Sequence, residues 1–391
     1  MATAPPKVRS WSWRSKAFRG VLYQVIVLAL IIAAGSYLLS NTLVNMRERG
    51  IQSGFDFFKQ PAGFAIGESV VPFDSSESYA KAFLVGLSNT FRVAIVGILL
   101  ATIIGTLVGI GRLSRNLLVR TLSGAYVDFI RNVPVLLQLF MWYFVLTELL
   151  PPVEEALHPL PSVFFSKNGL QFPHPDWAPG HWGTLAGFVV GCFGVWGWSR
   201  YVQRRHDATG QAPMFLLPAL AIVLVATAAG WLLGGAPTAF DVPEKTEINV
   251  VGGGSVTPEF LTVLLGLTIY TAAYIAEVVR AGIQSVPYGQ HEASVSLGLS
   301  RARELRLVQL PQALRVIIPP ITNQYLNLTK NSSLAVAVGY PDLVSISNTS
   351  LNQTGRAIEC IAVVMAIYLT LSLLTSALMN WYNRRAAIKE R

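Results

Sequence analysis

Long apolar stretches separated by shorter polar ones dominate the chain, and eight of them come near the ~20 residues that a helix needs to cross a bilayer. They cover about 20–43, 84–111, 133–150, 184–198, 214–233, 259–279, 316–338 and 358–382. The fourth is short and rich in glycine. The seventh is polar throughout, in the run Thr322-Asn323-Gln324-Tyr325-Leu326-Asn327-Leu328-Thr329-Lys330-Asn331. Of 391 residues, 52% are hydrophobic and only 13% charged, where a soluble domain carries about a quarter charged. The pattern predicts an all-α integral membrane protein of about eight transmembrane helices, with the lipid bilayer as its solvent.

Charge orients these spans. Basic residues gather in alternate gaps: Lys7, Arg9, Arg14, Lys16 and Arg19; Arg112, Arg115, Arg120 and Arg131; Arg200, Arg204 and Arg205; Arg280, Arg301, Arg303, Arg306 and Arg315; Arg384, Arg385, Lys389 and Arg391. Lys and Arg stay on the cytoplasmic side, so eight spans with both termini in the cytoplasm satisfy the distribution. An odd number would strand one basic terminus outside. The net charge of +9 is spread over every inner loop rather than along one soluble face, which argues against nucleic acid. The first apolar segment is too long for the core of a signal peptide, and no small-x-small site clearly follows it, so it reads as an uncleaved anchor. Cys192 and Cys360 lie in apolar spans and offer no disulfide framework.

Enzyme signatures are missing from the motifs. Lys245-Thr246 has Glu244 before it where a phosphate-binding loop needs glycine, and no acid, base and nucleophile set stands out. His158, His174 and His181 with Asp176 are irregularly spaced among Pro and Trp, as in a surface loop rather than a metal site. Gly105-x-x-x-Gly109 and Gly187-x-x-x-Gly191 would let helices approach closely.

The most informative segment is Gly289-Gln290-His291-Glu292-Ala293-Ser294-Val295-Ser296-Leu297-Gly298, followed after nine residues by Val308-Gln309-Leu310-Pro311. Small and apolar residues at Ala293, Val295 and Leu297 suit a helix lying flush in a partner's groove. Gly298 suits a turn, Ser300 an N-cap, and Ala302, Leu305 and Val308 one helical face. Pro311 is expected to stop that helix before the next span. Glu292, early in the first short helix, is favoured by the helix dipole. With its Glu-Ala pair, the Gly beyond it and the Leu-Pro end, the segment resembles the coupling loop of ABC-importer permeases.

Two further blocks resemble the polar-amino-acid permeases of that family: Arg131-Asn132-Val133-Pro134-Val135-Leu136-Leu137-Gln138-Leu139, and Ala273-Tyr274-Ile275-Ala276-Glu277 running into the loop and on through Pro319-Pro320 and Lys330-Asn331-Ser332-Ser333-Leu334. The extra spans between them are similar to the longer, AapQ-type permease of general L-amino-acid importers. The resemblance implies a type I ABC-importer permease core with an inserted helix pair. It divides the chain into a cytoplasmic tail (1–19), an N-terminal anchor with a periplasmic segment (20–83), a first part of the core (84–150), the insert (151–257), a second part of the core (258–382) with its coupling loop at 284–315, and a cytoplasmic C-terminus (383–391). Gln290, Glu292, Ala293, Gly298, Leu310 and Pro311 would then couple to the ATPase.

The same resemblance implies a bacterial inner-membrane complex with a second homologous permease subunit, a dimer of ATPase subunits and a periplasmic amino-acid-binding protein. ATP and Mg would belong to the ATPase, leaving this chain without a cofactor or catalytic residue. Polar groups within spans are costly and invite a functional reading, so Arg92, Glu277, Gln324, Asn327 and Lys330 are candidates for the substrate pathway. Pro319 and Pro320 suggest a broken helix lining a cavity. For Arg92 and Lys330 a path role and simple snorkelling or helix pairing weigh evenly; for Glu277, pairing with Arg280 leads. The rival reading is an ion-coupled secondary carrier acting without an ATPase.

Overall fold

The computed structural model describes residues 15–48, 50, 53–210, 213–246 and 249–386. Lys7, Arg9 and Arg14 of the expected inner tail, and Lys389 and Arg391 of the C-terminus, lie outside the described residues. Each of the eight apolar stretches falls on a helix. Five helices are long and apolar enough to cross a membrane: α1 (Lys16–Glu48), α2 (Tyr79–Gly111), α6 (Leu216–Leu233), α7 (Pro258–Gln284) and α12 (Ala357–Ala386). A bent pair, α3 (Leu117–Asn132) with α4 (Val135–Phe144) and its π-helical continuation Val145–Leu149, makes a sixth. The two remaining stretches fall on α5 (His181–Thr209) and α10 (Leu310–Asn331), which have the length but are more polar. Short helices α8 (Tyr288–Ser296), α9 (Arg301–Glu304) and α11 (Leu343–Thr354) complete the helical set.

One basic loop expected from the sequence is a helix. Asn116 caps α3 by accepting the backbone N–H of Val119 at 3.2 Å. The helix is amphipathic: Val127 and Ile130 are buried, while Arg120 lies on the exposed side with Leu118, Leu122 and Phe129. Pro134 disfavours a helical residue before it, and Val133 is accordingly extended at φ −105°, ψ 127°. The chain therefore bends by 105° between α3 and α4.

Contacts divide the chain into two compact units, Val96–Arg280 on one hand and Met1–Ile95 with Ala281–Arg391 on the other. In the first unit, the Gly105 and Gly109 spacing is the place where α2 meets α7. A Cβ on Gly105 would lie 2.7 Å from the Ile275 side chain, and one on Gly109 2.7 Å from the Ala276 carbonyl oxygen. Tyr126 Oη ties α3 to α7 by donating to the Ile269 carbonyl at 2.6 Å.

The stretch expected to be irregular outer loop carries strands. β1 (Leu157–Leu160), β2 (Val163–Ser166), β3 (Gly169–Phe172) and β8 (Gly254–Val256) form an antiparallel sheet in the order β1-β2-β3-β8. Two ribbons flank it: β4 (His174–Pro175) with β5 (Phe240–Asp241), and β6 (Glu244–Lys245) with β7 (Val250–Val251). Val153, Ala156, Phe164 and Val250 form a small core there. Between these strands, α5 and α6 pack as a tight hairpin. A Cβ on Gly187 would lie 3.0 Å from the Gly230 Cα, and one on Gly191 2.9 Å from the Val223 Cα.

The second unit holds the first half of α2, the loop helices, α10 to α12 and the segment 53–78. Of its phenylalanines, Phe57 is core, Phe58, Phe64 and Phe73 pack partly buried against that core, and Phe55 is exposed. A 3₁₀ turn over Asp56–Lys59 buries Phe57, which packs with Tyr79, Phe83, Leu343, Ile346 and Cys360. Arg356 donates to the Gly54 carbonyl at 2.6 Å, and Glu359 accepts the Gly54 N–H at 2.6 Å, pinning the segment to the start of α12. The most apolar window of α1 buries nothing against the described residues.

Candidate coupling loop and transport path

Coupling-loop candidates sit on two short helices joined by a tight turn. In α8, Gln290, Glu292 and Ala293 are exposed, and so are Tyr288, Val295 and Leu297. The helix ends in a Schellman arrangement: Gly298 N–H donates to the Val295 carbonyl at 2.9 Å and Leu299 N–H to the Ser294 carbonyl at 3.1 Å. Gly298 has φ +69°, and a Cβ added to it would meet nothing within 4 Å. The glycine is therefore there for its backbone and not for space. Together these features leave an apolar knob, Val295 and Leu297 at its tip, outside the chain's own core.

Two expectations fail in the next turn. Ser300 occupies the N-cap position of α9 with an extended backbone, but its side chain makes no capping hydrogen bond. Pro311 does not end the helix. It lies in the first turn of α10, and the chain is helical without a break from α9 through a π turn over Leu305–Gln309 into α10. Within that turn the Leu310 N–H reaches the Leu305 carbonyl, five residues back. Proline has no N–H and crowds the carbonyl four residues before it; the wider π turn absorbs both defects. Of the residues expected on one face, Ala302 and Leu305 are exposed and Val308 is half-buried. Leu310, at the end of the turn, is exposed.

Sequence reasoning overlooked Glu304. It is 2% exposed and holds the loop together: its Oε1 lies 2.6 Å from His291 Nδ1 and accepts from Gln309 Nε2 at 2.7 Å. A second tie runs from Gln312 Nε2 to Gln290 Oε1 at 3.1 Å. The only available signal was a single acid among Arg301, Arg303 and Arg306.

The pathway candidates separate into three groups. Glu277 pairs with Arg112 and Arg280, and Asp128 lies 3.7 Å from Arg112, so its charge is answered within α7 and its neighbours. Arg92 pairs with the largely buried Glu68 of the 53–78 segment. Asn89, fully buried on the same helix, fixes that pair by donating to the Glu68 and Pro341 carbonyls, both at 2.9 Å. Nearby, Asp342 caps α11 through Oδ1, which accepts from Ser345 N–H at 2.8 Å. Its Oδ2 is buried without a hydrogen-bond partner among the described residues, and burial pushes the carboxyl up to about 7.

The third group lies on α10. The helix continues without interruption across Pro319 and Pro320; the change comes later, where Ser332–Val338 narrows to a 3₁₀ helix ending at Gly339. Ala313, Ile317 and Leu328 are buried, whereas Val316, Pro319, Asn323, Asn327 and Lys330 are exposed. Those five positions recur every three or four residues and form one stripe. Gln324 lies beside it, half-buried. A stripe with two asparagines and a lysine does not suit hydrocarbon; insertion scales put a lysine at mid-membrane near ~2.5–3.5 kcal/mol.

The histidines at 158, 174 and 181 are engaged separately. His158 packs edge-on to Phe164, His181 Nδ1 meets the Ala178 backbone, and His174 lies 4.0 Å from Asp241.

Comparisons with known proteins identify the family. Residues 97–388 match the family described as binding-protein-dependent transport system inner membrane component. The general L-amino acid transport system permease protein AapQ of Rhizobium johnstonii is 43% identical over all of this chain and 98% of its own length. The putative amino-acid ABC transporter permease protein YhdX of Escherichia coli is 43% identical over all of this chain and 97% of its own. The glutamate/glutamine/aspartate/asparagine transport system permease protein BztB of Rhodobacter capsulatus is 38% identical over the whole of both chains. These matches set aside the ion-coupled secondary carrier. The chain belongs to the binding-protein-dependent transport system inner membrane components, and within that family it is an AapQ-type permease subunit of an ABC importer.

Proposed function

We propose that this chain carries L-amino acids inward across the bacterial inner membrane as one permease of a heterodimer. An ATPase dimer that binds ATP and Mg would drive it, and a periplasmic binding protein would deliver the amino acid. Both termini and the loop around Glu292 would face the cytoplasm. The observation that carries the reading is the pairing of two exposed features: the apolar knob beyond Gln290, Glu292 and Ala293 on α8, and the polar stripe on α10. The knob offers a partner a greasy tip closed by Gly298, and the stripe needs protein or water against it rather than lipid. Asn327 and Lys330 would line the path, with Gln324 at its edge. Arg92 and Glu277, already paired, would act there only by exchanging partners. Leu310 and Pro311 would transmit movement from the loop into α10.

Alternating access then needs the ATPase to favour one packing of these helices over another by a few kcal/mol. The test is uptake of radiolabelled L-amino acids into proteoliposomes holding the complete complex. Glu292→Ala and Gly298→Asp should both cut ATP-driven uptake, the second also by straining a backbone at positive φ. Full uptake by both variants, or uptake by wild type with the ATPase left out, would sink the proposal.

A further inference from the structure

We propose that Glu304 is a positioning residue that clamps the coupling helix to the foot of the pathway helix, so that movement of α8 is delivered into α10. This rests on the reading of α8 as the ATPase contact.

A carboxylate taken out of water needs compensation from hydrogen bonds or charge, yet Glu304 is 2% exposed in a loop most of whose residues are exposed or half-buried. Its compensation comes from two directions at one oxygen. His291, on α8, approaches from across the Gly298 turn at 2.6 Å. Gln309, at the far end of the π turn, donates at 2.7 Å. A five-residue spacing does not bring side chains together on an α-helix, but it matches the repeat of a π turn. The unusual turn therefore does more than accommodate Pro311: it presents Gln309 to Glu304.

The mechanical consequence follows from connectivity. Glu304 is the last residue of α9 and is helical with everything up to Asn331, including the exposed Asn323, Asn327 and Lys330. α8 is joined to that long helix covalently only through the Gly298 turn, whose glycine restrains it weakly. The His291–Glu304 contact bridges the turn through side chains, with Gln290–Gln312 as a second, more exposed tie at 3.1 Å. Without the clamp, α8 could rock on Gly298 while α10 stayed still. The ATPase would then turn over with less transport.

The readout is the number of ATP molecules hydrolysed per amino acid taken up, measured on the complete complex in proteoliposomes with a mixture of radiolabelled L-amino acids. Glu304→Ala and His291→Ala should each raise that ratio roughly fivefold or more, the low end of measured coupling between sites. The double variant should be no worse than either single one, because both remove the same contact. Glu304→Gln keeps an accepting oxygen at the same reach and should stay near wild type, whereas Glu304→Met, of similar size but without that acceptor, should behave like Glu304→Ala; a merely filling role would leave the Met variant near wild type. Co-purification of the ATPase with each variant separates the two readings. If wild type fails to retain the ATPase, the coupling reading itself falls. If the ATPase is retained and the ratio is unchanged in His291→Ala, or the two single effects add, the clamp is wrong. Should Glu304→Ala fail to assemble, His291→Ala and Glu304→Gln still decide the matter, since His291 is on the partly exposed side of the contact.

Discussion

Asp342 makes the second unit sensitive to pH. One carboxylate oxygen caps α11, the other has no hydrogen-bond partner among the described residues, and burial lifts the group from 3.8 to about 7. A carboxyl raised on folding binds protons more tightly in the folded chain than in the unfolded one. Stability therefore falls as pH climbs from about 4 to about 7 and levels off above that. The full effect is about 4 kcal/mol at most, at 1.36 kcal/mol per unit. Asp342→Asn keeps a good capping oxygen and removes the charge. We expect the variant to melt near wild type at pH 4 and several degrees higher at pH 8, as followed by thermal denaturation in detergent. Equal melting temperatures at pH 8 would contradict the assignment. Arg92 offers the complementary lesson at this scale. Its position within an apolar run was plain from the sequence, but its partner Glu68 sits 24 residues away in a segment with no periodicity to place it.

Among the elements, the α5–α6 hairpin gives the sharpest prediction. Gly187 and Gly191 bring α5 to backbone contact with α6, so Gly187→Leu should overpack the seam, costing ~1–3 kcal/mol. Gly197 has nothing within 4 Å, and Gly197→Ala should be neutral or stabilising by up to ~1 kcal/mol from helix propensity. Thermal melts of the two variants side by side check the contrast; equal losses would mean the seam is not tight. The seam's glycine spacing could be read in advance because close approach demands small residues at fixed intervals. The long helices were equally legible, since an apolar run of twenty residues has few other fates in a membrane protein. The strands were not: two to four residues are too few to show alternation. Nor was α3, whose arginines gave it the look of a loop although its apolar residues recur at helical spacing. In the candidate loop, the glycine turn could be read from one residue's backbone freedom. The His291–Glu304 contact could not, because it joins positions thirteen apart that meet only after that turn has formed.

For the whole molecule, topology turns on the inserted hairpin. If α5 and α6 both cross the bilayer, residues 167 and 205 lie on opposite sides; if the hairpin stays on one face, they lie together. A reporter active only in the periplasm should therefore be active when fused after Lys167 and silent after Arg205. Activity at both sites would reduce the count to six spans. The basic cluster of Arg200, Arg204 and Arg205 at the far end of α5 favours the first outcome, because Lys and Arg are retained on the cytoplasmic side. The π turn ahead of α10 has a consequence of its own at this scale. Each helical residue advances the chain by about 100° around the axis, so the extra residue held in that turn sets the angular phase between the α8–α9 loop ahead of it and the polar stripe on α10 beyond it. Deleting one residue between Leu305 and Gln309 would leave both ends intact in composition while turning them out of step, like a key cut correctly on a misaligned shaft.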